Sequence, residues 1–194
     1  MPTPYAYFQG NIVPLSEAKI GVMTHAFNYG TAVFEGVRGN WNEDDQTTYL
    51  FRLREHFERL GQSSKILTLQ MHETVDRLCE IAVELVERSG FTEDVYLRPM
   101  VYLSSEQLGV RLHNLESSTL IFLTPFPAYL PEVARCHTST WRRVQDTGIP
   151  PRAKVTGIYV NSALAKTEAH DNGFDEAIML NENGHVSEGS GENI

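Results

Sequence analysis

Apolar and polar positions alternate through "AYFQGNIVPL" (6–15) on either side of Gly10-Asn11, a pattern that predicts a β-hairpin. "TTYLF" (47–51) reads as a short strand running into a helix over "RLREHFERLGQSSKIL" (52–67). The clearest helical period lies in "HETVDRLCEIAVELVERSG" (72–90): Val75, Leu78, Ile81, Ala82, Leu85 and Val86 fall on one stripe, and Gly90 is placed to cap the end. Two strands follow, "DVYLRPMVYL" (94–103) and "STLIFLTPF" (118–126). In the first, a period of two puts Val95, Leu97, Pro99, Val101 and Leu103 on a core face and Tyr96, Arg98, Met100 and Tyr102 on the other.

The aromatic, proline-rich "PFPAYLP" (125–131) is expected to join two domains. The expected organisation is an N-terminal α/β domain over 1–124, a linker over 125–134, and the first part of a second domain over 135–194. In that second part "CHTSTWRRV" reads as a strand, "AKVTGIYV" as an extended lead-in, "NSALAKTEAHDNG" as a helix, and "EAIMLNENGHVSEG" as a hairpin turning at Asn183-Gly184. Asn193-Ile194 looks like the opening of a further strand, so the 194 residues are expected to be a fragment.

Sixteen Lys and Arg against 25 Asp and Glu leave a formal charge of −9, which argues against nucleic acid or anionic membrane as partner. No signal-like segment or membrane-length apolar run occurs, so a cytoplasmic protein is expected. Cys79 and Cys136 sit in apolar or strand-like contexts and are expected to be buried thiols, and no CxxC, HxxxH or HxH spacing suggests a metal.

Only four lysines occur, at 19, 65, 154 and 166. Lys19, Lys65 and Lys166 read as solvated charges. Lys154 stands between a proline-stiffened turn and an apolar run, where an ammonium is costly unless it has a role. Arg98 between Tyr96 and Tyr102 suits the wall of a carboxylate-binding pocket, and equally an exposed sheet face. Phe34 and Arg38 share a face in "TAVFEGVRG" in the same way. Arg59 has an ordinary explanation as the partner of Glu55, four residues earlier on a helix surface; the alternative is that it grips a phosphate, for which no Walker loop or complete GxGxxG is present. Glu188 leads into the glycines of "SEGSGEN".

A lysine, a tyrosine five residues later and a carboxylate heading a Gly-rich turn make sense together around pyridoxal 5′-phosphate, whose aldehyde, phosphate and ring nitrogen each need a handle. The blocks "HAFNYGTAVFEGVRG", "FRLREHFERL", "YLRP", "AKVTGIYVNS" and "NGHVSEGSGEN" resemble, in order and spacing, the class IV (fold-type IV) aminotransferases, and within them the branched-chain amino acid aminotransferases. The resemblance covers essentially the whole chain. It implies a mixed α/β (α+β) fold, with a small N-terminal α/β domain followed by part of a larger β-rich pseudo-barrel domain. Lys154 would carry the cofactor and move the proton, Arg59 would bind its phosphate, Tyr159 its phenolic oxygen and Glu188 its ring nitrogen, while Glu192 stays structural.

On the substrate side the resemblance implies a pocket lined by Phe34, Tyr96 and Tyr159. Arg38 and Arg98 stand near its polar end, with Arg98 taking the side-chain carboxylate of glutamate. Tyr29 and Val110 resemble positions that reach a neighbouring subunit's site, so a homodimer or larger assembly is expected, with amino acids and 2-oxo acids as small-molecule partners. Family members continue past the last residue here, which supports the expectation of a C-terminally truncated chain. D-amino acid and (R)-amine aminotransferases, aminodeoxychorismate lyase, and a non-catalytic fragment lacking the complete site are the rival readings.

Overall fold

The computed structural model describes residues 2–126 and 131–194, so residues 127–130 of the expected linker lie outside the described part. The chain divides into two compact units: residues 1–127 with 153–156, and residues 128–152 with 157–194. The short segment that carries Lys154 therefore packs with the first unit, although the sequence groups it with the second.

In the first unit the hairpin forms as β1 (Tyr5–Phe8) and β2 (Asn11–Pro14), joined through Gln9 and Gly10, both at positive φ. A short helix, α1 (His25–Tyr29), ends at left-handed Gly30. The stretch "TAVFEGVRG" holds β3 (Ala32–Phe34) and the start of β4 (Val37–Asn42). β5 (Thr47–Leu50) precedes α2 (Leu53–Ile66). α3 (Val75–Ser89) is capped by Thr74, whose hydroxyl accepts the Arg77 N–H, and by left-handed Gly90, whose N–H returns to the Val86 carbonyl.

β6 (Val95–Leu103) and β7 (Ser117–Pro125) form the centre of an antiparallel sheet ordered β2-β1-β7-β6-β4-β5, with β3 also on β6. The faces sort as periodicity predicts. Val95, Leu97, Val101 and Leu103 are fully buried, as are Phe57 and Leu60 of α2 and Leu78 and Leu85 of α3, the two helices that pack on this sheet. Each such side chain contributes about 1.5–3 kcal/mol through removal from water. The opposite face carries the half-buried Tyr96, Arg98 and Met100. One end of that face is closed by Tyr102, which packs with Phe8 and Ala32.

In the second unit the strand expected over "CHTSTWRRV" is only β8 (Cys136–Thr138). It stops there because Ser139 and Thr140 turn their donors onto the carboxylate of Glu168, leaving the ladder after the Ser139 N–H reaches the Ile178 carbonyl. Helix α4 (Tyr159–Asp171) begins two residues before the sequence suggests. β9 (Glu176–Leu180) and β10 (Val186–Gly189) make the expected hairpin, with Asn183 and left-handed Gly184 in its turn. β8 runs parallel to β9, and Ala165 and Ala169 of α4 pack on Ala177 and Met179 of β9.

Two further expectations are corrected. Cys136 is exposed, because β8 is a short edge strand, and Cys79 is only half-buried. Lys166 is not a solvated charge: its Nζ donates to Glu176 (2.5 Å) and to the Asp175 carbonyl (2.7 Å), which holds the buried Glu176 carboxylate at the start of β9. Among the described residues no helix is long and apolar enough to cross a membrane, and no cluster of His, Cys, Asp and Glu is suited to a metal ion.

Candidate active site

Lys154 is fixed by its backbone before its side chain is considered. The Phe34 N–H donates to the Lys154 carbonyl (3.0 Å), and the Lys154 N–H donates to Ser63 Oγ (3.3 Å). Val155 forms a single antiparallel bridge to Val33, and the Thr156 hydroxyl donates to the carbonyls of Gly30 (2.9 Å) and Ala32 (3.2 Å). These bonds end the extended run that the sequence predicts. Thr156–Ile158 then coil into a tight turn, and Tyr159 is the first residue of α4, half-buried, rather than part of a strand.

Phe34, 4% exposed, is the common neighbour of two cations. Lys154 Nζ lies 5.1 Å from its ring centre and the Arg98 guanidinium 4.3 Å, both within cation–π range. Arg98 Nη2 donates to the Tyr96 hydroxyl (3.0 Å). Its Nε is buried with no hydrogen-bond acceptor among the described residues. An orphaned guanidinium N–H costs more than a neutral donor, so this atom is where an incoming carboxylate gains most.

The register places Phe34 opposite Met100 and Arg38 opposite Tyr96, so Phe34, Arg38, Tyr96 and Arg98 share one face. Arg38 itself is exposed; it pairs with Asp94 (3.5 Å) and stacks on the Phe126 ring (4.7 Å), which also stacks on Tyr96. Gly36 leaves room for Tyr96 here, since a Cβ at that position would overlap the Tyr96 hydroxyl oxygen unless that side chain moved.

The expected surface pair of Arg59 with Glu55 is not formed. Glu55 pairs with Arg52 (2.9 Å), and Arg59 turns to Glu35, which is fully buried: Nε donates to Oε1 and Nη2 to Oε2, each at 2.6 Å. A buried carboxylate needs a cation far more than an exposed one does, which decides the competition. His56 Nδ1 donates to Glu35 Oε2 (2.9 Å). Burial would raise the Glu35 pKa, but the hydrogen bonds from His56 and Arg59 outweigh it and hold the carboxyl below its ordinary range.

Tyr29 and Val110 are brought together by a residue the sequence reading passed over. Buried His25 bonds through Nε2 to the Gly109 carbonyl (2.9 Å) and through Nδ1 to the Thr31 hydroxyl (2.8 Å); the carbonyl can only accept, so Nε2 carries the proton. This pins the loop to α1, where the Gly109 N–H meets the Tyr29 hydroxyl (3.0 Å) and Val110 is left 93% exposed. No local pattern marks this histidine. Its partners lie in a turn and in a distant loop.

In the second unit, Glu188 lies beside a bulge in β10 and pairs with Arg143 Nε. Arg143 Nη1 is buried without a hydrogen-bond partner among the described residues. The following Gly-rich turn is closed by Glu192, which accepts the Gly189 N–H on its carbonyl (2.8 Å) and the Gly191 N–H on its carboxylate (3.2 Å). Burial, and then the nearby carboxylate of Glu176, raise the Glu192 pKa. Glu192 thus serves the turn itself.

Comparison with known proteins gives the family and the fold. The family profile of amino-transferase class IV matches residues 32–194. A probable branched-chain-amino-acid aminotransferase of Aquifex aeolicus is 46% identical over 192 residues, covering 98% of this chain and 62% of the relative. The crystal structure of a branched-chain aminotransferase from Thermoproteus uzoniensis with norvaline superposes with a TM-score of 0.92 at 44% identity, over 96% of this chain and 63% of that one. The branched-chain amino acid aminotransferase from Thermobaculum terrenum, in its PLP-bound holo form, gives 0.89 at 34% identity, over 98% and 63%.

The chain belongs to the class IV amino-transferases. It has the fold of the branched-chain aminotransferase structures and spans a little over three fifths of their length, 63% of the two described.

Proposed function

We propose that the protein catalyses reversible transamination between a branched-chain L-amino acid (Leu, Ile or Val) and 2-oxoglutarate, giving the branched 2-oxo acid and L-glutamate, with pyridoxal 5′-phosphate as cofactor. The observation that carries this reading is the single aromatic ring of Phe34 with the Lys154 amine and the Arg98 guanidinium over it, the latter with an orphaned Nε. An amine, an apolar surface and an unsatisfied cation are what a site must offer to accept both leucine and glutamate. The named activities of the relatives support a branched-chain substrate.

When bound, the cofactor supplies a ring that accepts the electron pair of the substrate carbon. Lys154 Nζ would hold the cofactor through its aldehyde carbon and would move the proton at the substrate carbon. Arg59 would bind the phosphate, Tyr159 would donate to the phenolic oxygen, and Glu188 would hold the proton of the ring nitrogen. Phe34, with Tyr96 and Tyr159, packs on the branched side chain; Arg98 takes the distal carboxylate of glutamate, and Arg38 keeps that end of the face cationic.

Phe27 and Tyr29 of α1, and Leu108 and Val110 of the loop tied to it through His25 and Tyr29, are exposed apolar side chains, which supports a homodimer in which they meet a second copy. Sedimentation of the holoenzyme as a monomer would overturn that. The free, exposed Cys136 is in keeping with a reducing cytoplasm, which cell fractionation checks.

The test of the reaction is a visible spectrum with and without pyridoxal phosphate, before and after borohydride, with the labelled peptide identified by mass. A label on Lys154, and initial rates that favour L-leucine over D-alanine and an (R)-arylamine, are expected. A label elsewhere removes Lys154 from the reading, and a preference for D-alanine or the arylamine moves the protein to another branch of its family.

A further inference from the structure

We propose that Glu35 is a positioning residue that aims Arg59 at the cofactor phosphate and ties that grip to the position of Lys154; this rests on the reading that Arg59 binds phosphate. Glu35 has no exposed surface, yet it is ionised and takes three charge-assisted or polar hydrogen bonds, two from Arg59 at 2.6 Å and one from His56 at 2.9 Å. Stability does not explain such a group, because buried ion clusters are commonly matched or surpassed by well-packed apolar side chains. Geometry does explain it.

The carboxylate grips the Nε–Nη2 edge of the guanidinium in a fork, which fixes the plane of the group and the direction of its opposite edge. The Arg59 side chain is 54% exposed, and a forked contact to a buried carboxylate narrows the rotamers open to it. The clamp is mounted on rigid backbone: the Glu35 N–H donates to the Pro99 carbonyl of β6 (2.9 Å). The residue before it, Phe34, donates its own N–H to the Lys154 carbonyl (3.0 Å). One dipeptide thereby holds the backbone of the lysine and the side chain of the arginine. A ligand attached at one end to Lys154 and gripped at the other by Arg59 needs that spacing kept, and preorganised groups bind better than mobile ones.

Charge alone predicts the reverse. Glu35 is an anion beside the arginine, so removing it leaves the surroundings more positive and should strengthen phosphate binding. Positioning predicts a weaker grip. The two effects have opposite signs, which makes the experiment decisive.

Apoenzyme prepared from the holoenzyme is titrated with pyridoxal phosphate and with pyridoxal, which lacks only the phosphate, for the wild type, Glu35→Gln and Arg59→Ala. In Glu35→Gln, affinity for pyridoxal phosphate is expected to fall about 10–100-fold, the range over which loss of an outer partner weakens a metal site. Affinity for pyridoxal should stay within about twofold. Unchanged or tighter binding of pyridoxal phosphate, or an equal loss for both ligands, overturns the proposal. Arg59→Ala reports separately on the underlying reading: if it shows no phosphate-selective loss, Arg59 is not the phosphate residue. Should Glu35→Gln not fold, Glu35→Asp keeps the charge and withdraws the carboxylate by one methylene, and the same selective loss or its absence decides.

Discussion

Lys154 and Phe34 hold each other twice: the backbone N–H of Phe34 donates to the lysine carbonyl at 3.0 Å, and the lysine ammonium lies 5.1 Å from the centre of the phenylalanine ring. The first contact sets where the lysine starts and the second sets where its amine ends. Because the first involves only main chain, the two are separable by mutation.

Lys154→Ala should abolish borohydride-trapped cofactor and transamination while leaving the fold in place. The bonds to Phe34 and Ser63 use the backbone of residue 154 and survive the change, and loss of the side chain's contact with the Phe34 ring is expected to cost about 0.5–1 kcal/mol. Denaturant melts alongside the spectra check this. Retained transamination would remove Lys154 from the chemistry.

Arg98→Met should separate the two half-reactions. Loss of a charged hydrogen-bonding partner costs about 1.5–3 kcal/mol, or roughly 10–100-fold, and it should appear in KM for glutamate and 2-oxoglutarate far more than for leucine. Stability should change little, because removal of the buried Nε with no acceptor offsets loss of the Tyr96 bond and the Phe34 contact. Equal changes for leucine and glutamate would show that Arg98 serves the sheet and not the distal carboxylate.

Gly36→Ala acts on the same site through packing. Its methyl carbon would overlap the Tyr96 hydroxyl oxygen, so the tyrosine must move and the 3.0 Å bond from Arg98 must lengthen or break. A cost of about 1–3 kcal/mol in stability is expected, with a raised KM for 2-oxoglutarate. A variant with wild-type stability and kinetics would mean that Tyr96 has room to give way.

The alkaline limb of stability should depend on Tyr7. Burial, then its hydrogen bond to Glu73 at 2.8 Å, push its pKa up to about 12. A pKa raised on folding means that the folded state favours the protonated phenol. That contribution is complete below the ordinary phenol value of about 10 and is lost as pH rises through about 12. Tyr7→Phe should cost about 1.5–3 kcal/mol near neutrality, since the bond is to a carboxylate, and should flatten the loss between those two pH values. Urea midpoints measured from pH 8 upward decide it; parallel decline of the two proteins would exclude Tyr7 as the titrating group.

Parts of this architecture are legible in local pattern and parts are not. The stripe of α3 and its Gly90 cap could be read directly, because the helical period and left-handed capping are properties of neighbouring residues. The two faces of β6 could be read for the same reason. Arg59 shows where local pattern stops: Glu55 lies at helix-pair spacing from it, but buried Glu35, directly after β3, takes the guanidinium instead. Lys166 and Cys136 depart from local pattern for the same reason, since burial depends on which strand lies at an edge and which carboxylate a helix packs against.

The sequence by itself determined α3, β6, the two hairpins and the family resemblance, because periodicity, turn residues and motif spacing are short-range. Only the tertiary structure decided what those residues hold. Glu35 on Arg59, Arg143 on Glu188 and His25 on the loop carrying Val110 are pairings set by strand register and loop return. Charged and polar groups that cannot reach water take whichever partner the fold brings within hydrogen-bond distance, and that choice is made across the chain.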